Sequence, residues 1–334
     1  MTTVQRGSVL GLLDALQALH ARGERGVLGI VFATSGSTYQ KAGALVLLDD
    51  SGLLHGVISG GCLEPELEQR ARDVLRISRA DTVDFDMRTD EDVTFGSGTG
   101  CHGRVRLLLI PQSGESPLTH ALSMAANGGH AIDLALDVEG DEAGSGQASV
   151  DGTTSTWGRD GNAAASRASS SSYLQLRIEP PPCVLLLGAG AESVPFRQFA
   201  RQLGWKSVVV EHRGRWLGFA NRAAHDRTID LAPEAAAAVW RRLRIDAAVL
   251  MSHNFSIDLT NLALCADTDV GYVGLLGPVA RRDKLLTELG DATAQRLHDR
   301  LHAPVGLPLG GSGPDVLALS IASELQQFFT QPSR

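Results

Sequence analysis

Apolar positions Val9, Leu12, Leu13, Leu16 and Leu19 recur at helical spacing over residues 8–20, and Gly23 and Gly26 interrupt the pattern before the apolar run GVLGIVFAT. A helix leading into a strand is predicted. The segments ALVLLDD and LLHGVIS, joined by Ser51 and Gly52, read as a hairpin. Ser59-Gly60-Gly61-Cys62 then opens a second helix whose apolar face carries Leu63, Leu67, Ala71, Val74 and Leu75. Two further strands, TVDFD and RVRLLLI, flank the stretch FGSGTGCHG. The first part is therefore expected to be a mixed α/β unit with two glycine-rich loops, each holding a cysteine.

Between about residues 112 and 175 the pattern weakens: small and polar residues dominate, SRASSSS lies near the end, and only HAIDLALDV and QASVDGTTSTWG look like strands. This region reads as a poorly specified connector, or equally as an extension of the first unit's sheet that pairs with YLQLRIE. Pro180, Pro181 and Pro182 stiffen the chain and place the boundary between an N-terminal domain, 1–179, and a C-terminal domain, 180–334. Beyond them short apolar strands (CVLLLGAG, KSVVVEHR, DAAVLMSHN, GYVGLLG) alternate with helical segments up to a closing helix from Pro314 to Phe328. That alternation predicts a Rossmann-like, doubly wound parallel sheet with ligands gathered at the carboxyl ends of its strands.

Composition narrows the function classes. With 334 residues, 43% of them hydrophobic, the chain can bury two cores, and a net charge of -8 argues against a mainly electrostatic grip on nucleic acid or anionic lipid. Cys62, Cys101, Cys183 and Cys265 form no C-x-x-C pair, which fits reduced thiols in the cytoplasm better than a disulfide framework or a usual zinc pattern. No run approaches the roughly 20 apolar residues needed to cross a bilayer, and the amino-terminal segment reads as an amphipathic helix rather than a cleavable signal. A cytoplasmic protein is expected, with a homodimer left open.

Gly188-Ala189-Gly190-Ala191-Glu192-Ser193 joins a predicted strand to a predicted helix, the context in which a G-x-G-x-x-G turn brings a pyrophosphate to free helix N–H groups; here Ser193 replaces the third glycine. Glu211, 23 positions after Gly188, stands where a carboxylate can accept hydrogen bonds from ribose hydroxyls, favouring NAD over NADP, while Arg213 blunts that preference. His253, after the strand DAAVLMS, is a candidate proton donor beside a bound ligand. A second reading treats it as a helix cap or a partner of Asp258.

Gly36-Ser37 with Lys41-Ala42-Gly43-Ala44, then Ser59-Gly60-Gly61-Cys62-Leu63-Glu64, then Gly98-Thr99-Gly100-Cys101-His102-Gly103 resemble the amino-terminal signature of the xanthine dehydrogenase accessory family, XdhC/CoxI. VLLLGAGAES, LMSHNFSIDL, GYVGLLGPVARRDKL and LHAPVGLPLGGSGPDVLALSIASEL are similar to that family's Rossmann domain. The resemblance implies a chaperone-like factor that binds molybdenum cofactor (molybdopterin), protects it during sulfuration and delivers it to a molybdenum hydroxylase such as xanthine dehydrogenase, with a cysteine desulfurase as a further partner. On that reading Cys62 and Cys101 contact molybdenum or relay sulfur. Cys62, behind two glycines at a helix start, would favour the thiolate, and the bare backbone of Gly98, Gly100 and Gly103 would cradle a pterin phosphate. Gly60, Gly61 and Lys41 complete the set, Lys41 lending positive charge. The competing functions are an NAD-dependent oxidoreductase with His253 as acid or base, and a nucleotide-binding scaffold without chemistry. The competing role of both cysteines is ordinary core packing.

Overall fold

Strands with apolar residues at successive positions need cover on both faces, and the first unit supplies it. In chain order it contains β1 (Thr2–Val4), α1 (Ser8–Ala21), β2 (Gly26–Gly36), β3 (Leu45–Asp49), β4 (Gly52–His55), α2 (Glu64–Ile77), β5 (Asp81–Asp86), β6 (Gly103–Gln112), α3 (Pro117–Gly128), β7 (Ile132–Asp137), β8 (Gly146–Val150), β9 (Thr153–Trp157) and β10 (Tyr173–Ile178). This is a computed structural model that describes residues 2–4, 8–88, 102–158, 173–220 and 227–330. Two units divide after Pro181.

One antiparallel sheet has the order β4-β3-β2-β6-β5. Alternation sorts its side chains: Val27, Val31, Val46, Leu48, Val105, Leu107 and Leu109 pack with Leu63, Leu67, Ala71, Val74 and Leu75 of the α2 segment, while Leu28, Ile30, Leu45, Leu108 and Ile110 meet α1, α3 and a second sheet. Each fully buried leucine contributes about 2 kcal/mol. Two loops leave one end of this sheet, 37–44 between β2 and β3 and 56–63 between β4 and α2, and β6 starts at that same end. The register shows it, pairing Gly36 with Gly103, Ile30 with Leu45 and Leu47 with His55.

The stretch expected as a connector is structured wherever it is described. It forms α3 and β7–β9, and β10 pairs with β7 through Leu176 and Leu134, the pairing the alternative reading anticipated. It builds a separate five-stranded sheet, β1-β10-β7-β8-β9, rather than extending the first. Its apolar set is spread thinly over short strands, Ile132, Leu134, Leu136, Ala148, Val150, Leu174 and Leu176, and is buried only because α1, α3 and the first sheet face it. Local periodicity carries little of that.

The second unit contains β11 (Cys183–Leu187), α4 (Ser193–Gln202), β12 (Lys206–Val210), α5 (Gly214–Ala220), β13 (Arg227–Ile229), α6 (Pro233–Trp240), β14 (Ala247–Leu250), α7 (Phe255–Ala266), β15 (Tyr272–Leu275), α8 (Val279–Leu289), α9 (Asp291–Leu297), β16 (Leu301–His302) and α10 (Pro314–Thr330). All its strands are parallel, in the order β13-β12-β11-β14-β15-β16. Counted along the chain this is 3-2-1-4-5-6, the Rossmann order, with its switch point between β11 and β14. Leu185 and Leu187 point to one helical layer and Val184 and Leu186 to the other. No helix among the described residues is long and apolar enough to cross a membrane.

Candidate functional site

In the first unit the Ser59-to-Glu64 loop is organised from within. The Glu64 carboxylate accepts hydrogen bonds from the N–H groups of Ser59 (2.8 Å), Gly61 (3.1 Å) and Ile58 (3.3 Å) and from the Ser59 hydroxyl. Ser59 Oγ in turn accepts from Leu63 N–H at 3.0 Å. Burial pushes the Glu64 carboxyl up, but the Ser59 hydroxyl and the backbone donors outweigh it and hold the group below its ordinary value. Ser59 and Glu64 enter the sequence analysis only as letters of a motif; their spacing of five is not the three-residue spacing of a capping box, so no local signal gives them this role.

That frame presents Gly60 and Gly61 to solvent. Neither has another group within 4 Å of where a Cβ would stand, and the φ of +111° at Gly61 excludes other residues without strain. Cys62 follows, half-buried, with its side chain against the α2-side core. It precedes the N-cap residue Leu63, and the loop's N–H groups point at Glu64 and Ser59 rather than at the thiol. The other two described cysteines are sealed: burial pushes the Cys183 and Cys265 thiols up to about 12, as expected of packing residues.

Lys41 is exposed on the neighbouring loop, its Nζ donating to Thr38 Oγ1 at 3.3 Å. Gly103 is buried against that loop: a Cβ there would stand 2.5 Å from Ser37 O, and one on Gly36 would stand 2.5 Å from His102 O. Its role is close backbone approach rather than a cradle for phosphate. Gly98, Gly100 and Cys101 lie outside the described residues. Among the described residues no group of three or more His, Cys, Asp or Glu side chains could hold a metal ion.

The second unit fills its own crevice. Gly188 has φ +116°, and a Cβ there would lie 2.6 Å from the Ser252 backbone, so this glycine allows β11 and β14 to close at the switch point. Glu211 is buried, with a 1% exposed side chain. One of its oxygens accepts from Arg213 Nε (2.8 Å) and from the N–H groups of His212 and Arg213; the other accepts from Arg213 Nη2 (2.7 Å) and Ala189 N–H (3.1 Å). Burial opposes ionisation, yet the Arg213 guanidinium and the backbone donors hold the carboxyl below its ordinary value. Arg213 also donates to Ser252 O at 2.8 Å, Ser252 Oγ donates to Asp258, and Arg281 pairs with Asp258 at 2.7 Å. The expectation that Glu211 receives ribose hydroxyls is corrected: its acceptor sites are taken, and Arg213 is spent on them.

The phosphate seat is also taken. Glu192, which precedes α4 with a 6% exposed side chain, makes no capping bond to the helix; its Oε1 lies 2.7 Å from His253 Nε2. The hydrogen bond to Glu192 raises the histidine's pKa above 6.5 against the effect of burial. A Cβ on Gly190 would strike both side chains, 2.7 Å from His253 Nε2. A pyrophosphate laid over Gly190 therefore meets space that the Glu192–His253 pair already fills. Ser193 is fully buried and its hydroxyl has no hydrogen-bond partner among the described residues, so it serves the packing function of the third glycine. The fingerprint therefore does not fit a dinucleotide in the standard pose, and His253 belongs to an internal pair. Glu192 was missed because it occupied a variable place in the motif; an acid at a phosphate-binding turn was the available signal.

A mostly antiparallel unit with glycine-bearing loops at one sheet end, followed by a Rossmann unit closed by its own ion pairs, defines a class of two-unit α/β protein. The sequence model of the XdhC Rossmann domain matches residues 184–325, and that of the XdhC and CoxI family matches residues 19–86. The chain belongs to the XdhC and CoxI family. It is 26% identical over 326 residues to a Bacillus subtilis (strain 168) protein whose name makes it a probable xanthine dehydrogenase subunit, with 93% of this chain and 96% of that one covered. A solved structure from Bacillus halodurans, described as a xanthine dehydrogenase, superposes with a TM-score of 0.78 at 25% identity, with 96% of each chain covered.

Proposed function

We propose that this protein is an accessory factor for a molybdenum hydroxylase of the xanthine dehydrogenase type, and that its first unit holds molybdenum cofactor as cargo while the terminal sulfur is installed, before delivery to the hydroxylase. The names carried by its relatives support the accessory relation to xanthine dehydrogenase. The observation that carries the cargo reading is that the loop bearing Lys41 and the loop bearing Gly60, Gly61 and Cys62 leave the same sheet end, where Gly60 and Gly61 face open space and Cys62 follows half-buried. A soft thiolate suits molybdenum, two uncrowded glycines leave room for a bulky pterin, and Lys41 offers an ammonium to its phosphate. Ser59 and Glu64 act as positioning residues that shape the loop. Sulfur reaches the cargo from a separate donor of the cysteine desulfurase class.

The test is retention of cargo. Purified protein loaded with molybdenum cofactor and passed through a desalting column is expected to keep molybdenum, and Cys62→Ala and Cys101→Ala are each expected to lower the retained amount at least tenfold. Undiminished retention in both variants overturns the thiol role. No retention by the unaltered chain overturns the cargo role.

A further inference from the structure

The second unit carries an apolar groove between α4 and α10, two of the helices that cover one face of its parallel sheet. The groove holds about 350 Å³, with Phe199 and Leu203 of the α4 segment on one side, Leu319 and Ala322 of α10 on the other, and Gln202, Ser323 and Gln326 at its rim. No charged side chain lines it among the described residues. Leu203 and Leu319 are 40% and 45% exposed, so one groove keeps two leucines in water. Its walls are fixed: Ala318, Ile321 and Leu325 of α10 share a core with Phe196 and Ala200 of α4, and Trp205, just beyond α4, packs edge-on against Phe329 near the end of α10 at 5.0 Å. A preformed surface needs little further ordering when it is covered.

Charge selects the occupant. The chain has 38 acidic and 30 basic residues and a net charge of -8, so two copies repel where their ordinary surfaces meet. A face without charge escapes that repulsion. It also lacks the charged groups through which a different partner is ordinarily steered and selected. Two-fold contact lays a patch against itself and therefore demands self-complementarity. Leucine side chains meet that demand, and so do the Gln202 and Gln326 amides, each of which both donates and accepts.

We infer that the α4–α10 face docks a second copy of this chain about a two-fold axis, burying Leu203 and Leu319 of both copies. Ten residues of α4 and 17 of α10 give helices about 15 and 25 Å long, packed about 9 Å apart, and a face of roughly 500 Å² per copy. That lies at the small end of specific interfaces, so the dimer is reversible and concentration-dependent.

Sedimentation velocity on the full chain across a hundredfold concentration range decides it. The unaltered chain is expected to sediment as a monomer–dimer equilibrium, and Leu319→Glu and Leu203→Glu should each raise the dimer dissociation constant at least tenfold, because each sets two carboxylates into an apolar contact. Gln326→Glu, at a rim side chain outside the buried set, should raise it several-fold and keeps the question answerable if a leucine variant does not fold, which circular dichroism reports. Leu231→Glu, at a leucine 41% exposed on the loop before α6, a helix of the opposite layer, should leave the dimer intact. A chain that stays monomeric throughout, a dimer indifferent to the groove variants, or equal weakening by Leu231→Glu overturns the inference. Cargo retention reads Cys62 and Cys101 of the first unit, so this inference and the proposed function stand or fall separately.

Discussion

Each unit ends a sheet in glycine-rich turns, yet the glycines do opposite things. At Gly60 and Gly61 nothing lies within 4 Å of the missing side chain, and the loop is held in shape by Ser59 and Glu64 beneath it. At Gly188 and Gly190 the missing side chain is replaced by the protein itself, the Ser252 backbone at one and the Glu192–His253 pair at the other. The first pattern keeps space for something else. The second uses glycine to let two parts of one chain meet. A glycine motif thus reports that room is needed, and only the neighbours say whose room it is.

The largest contrast is expected from alanine at these positions. Gly188→Ala combines a positive φ with a backbone clash at 2.6 Å and should destabilise the second unit by about 3 kcal/mol or more, whereas Gly60→Ala should stay within about 0.5 kcal/mol. Thermal or urea unfolding followed by tryptophan fluorescence and circular dichroism measures both. Comparable losses would erase the distinction between a filled and an open loop. Next comes Glu64→Ala, which strands several loop N–H groups and should cost about 2 kcal/mol as well as weakening cargo retention; a melt unchanged from that of the unaltered chain would show that Ser59 alone holds the turn.

Two smaller effects run in opposite pH directions within the second unit. Glu211 has a folded pKa below the ordinary 4.5, so its contribution is present above 4.5 and is lost as pH falls through the depressed folded value. The stability gap between the unaltered chain and Glu211→Gln should therefore close on acidification. His253 has a folded pKa above 6.5, so its contribution is complete below 6.5 and is lost as pH rises through the raised value. The gap to His253→Ala should close on going alkaline, and by less, because a 49% exposed imidazole is screened by water. Urea midpoints measured from pH 2 to 9 decide both, and parallel curves over that whole range would mean that neither pair is coupled to folding.

Much of the architecture was legible in local patterns. The apolar stripe of α1, the Pro180–Pro182 boundary and the strand–helix alternation of the second unit each depend on residues close together in the chain, so periods of 3.6 and 2 reveal them directly. The connector reading failed for the converse reason: β7, β8 and β10 hold few apolar residues each, and their burial depends on α1, α3 and a sheet contributed by distant segments. Part of the candidate site was readable too. Cys62 and its glycines announced a special loop, and the strand-to-helix turn announced a Rossmann sheet.

By itself, then, the sequence determined most of the segments that become strands and helices, the parallel doubly wound class of the second unit, and the presence of glycine-bearing turns, because short-range sterics and hydrophobic periodicity settle those. Tertiary structure alone decided what the turns enclose. Glu211 looked available until Arg213 and Ala189 occupied its oxygens, and Glu192 looked incidental until folding placed it against His253, 61 positions later. A carboxylate's role depends on which donors reach it, and these came both from a near neighbour whose side chain folds back, Arg213, and from residues remote in sequence, Ala189 for Glu211 and His253 for Glu192.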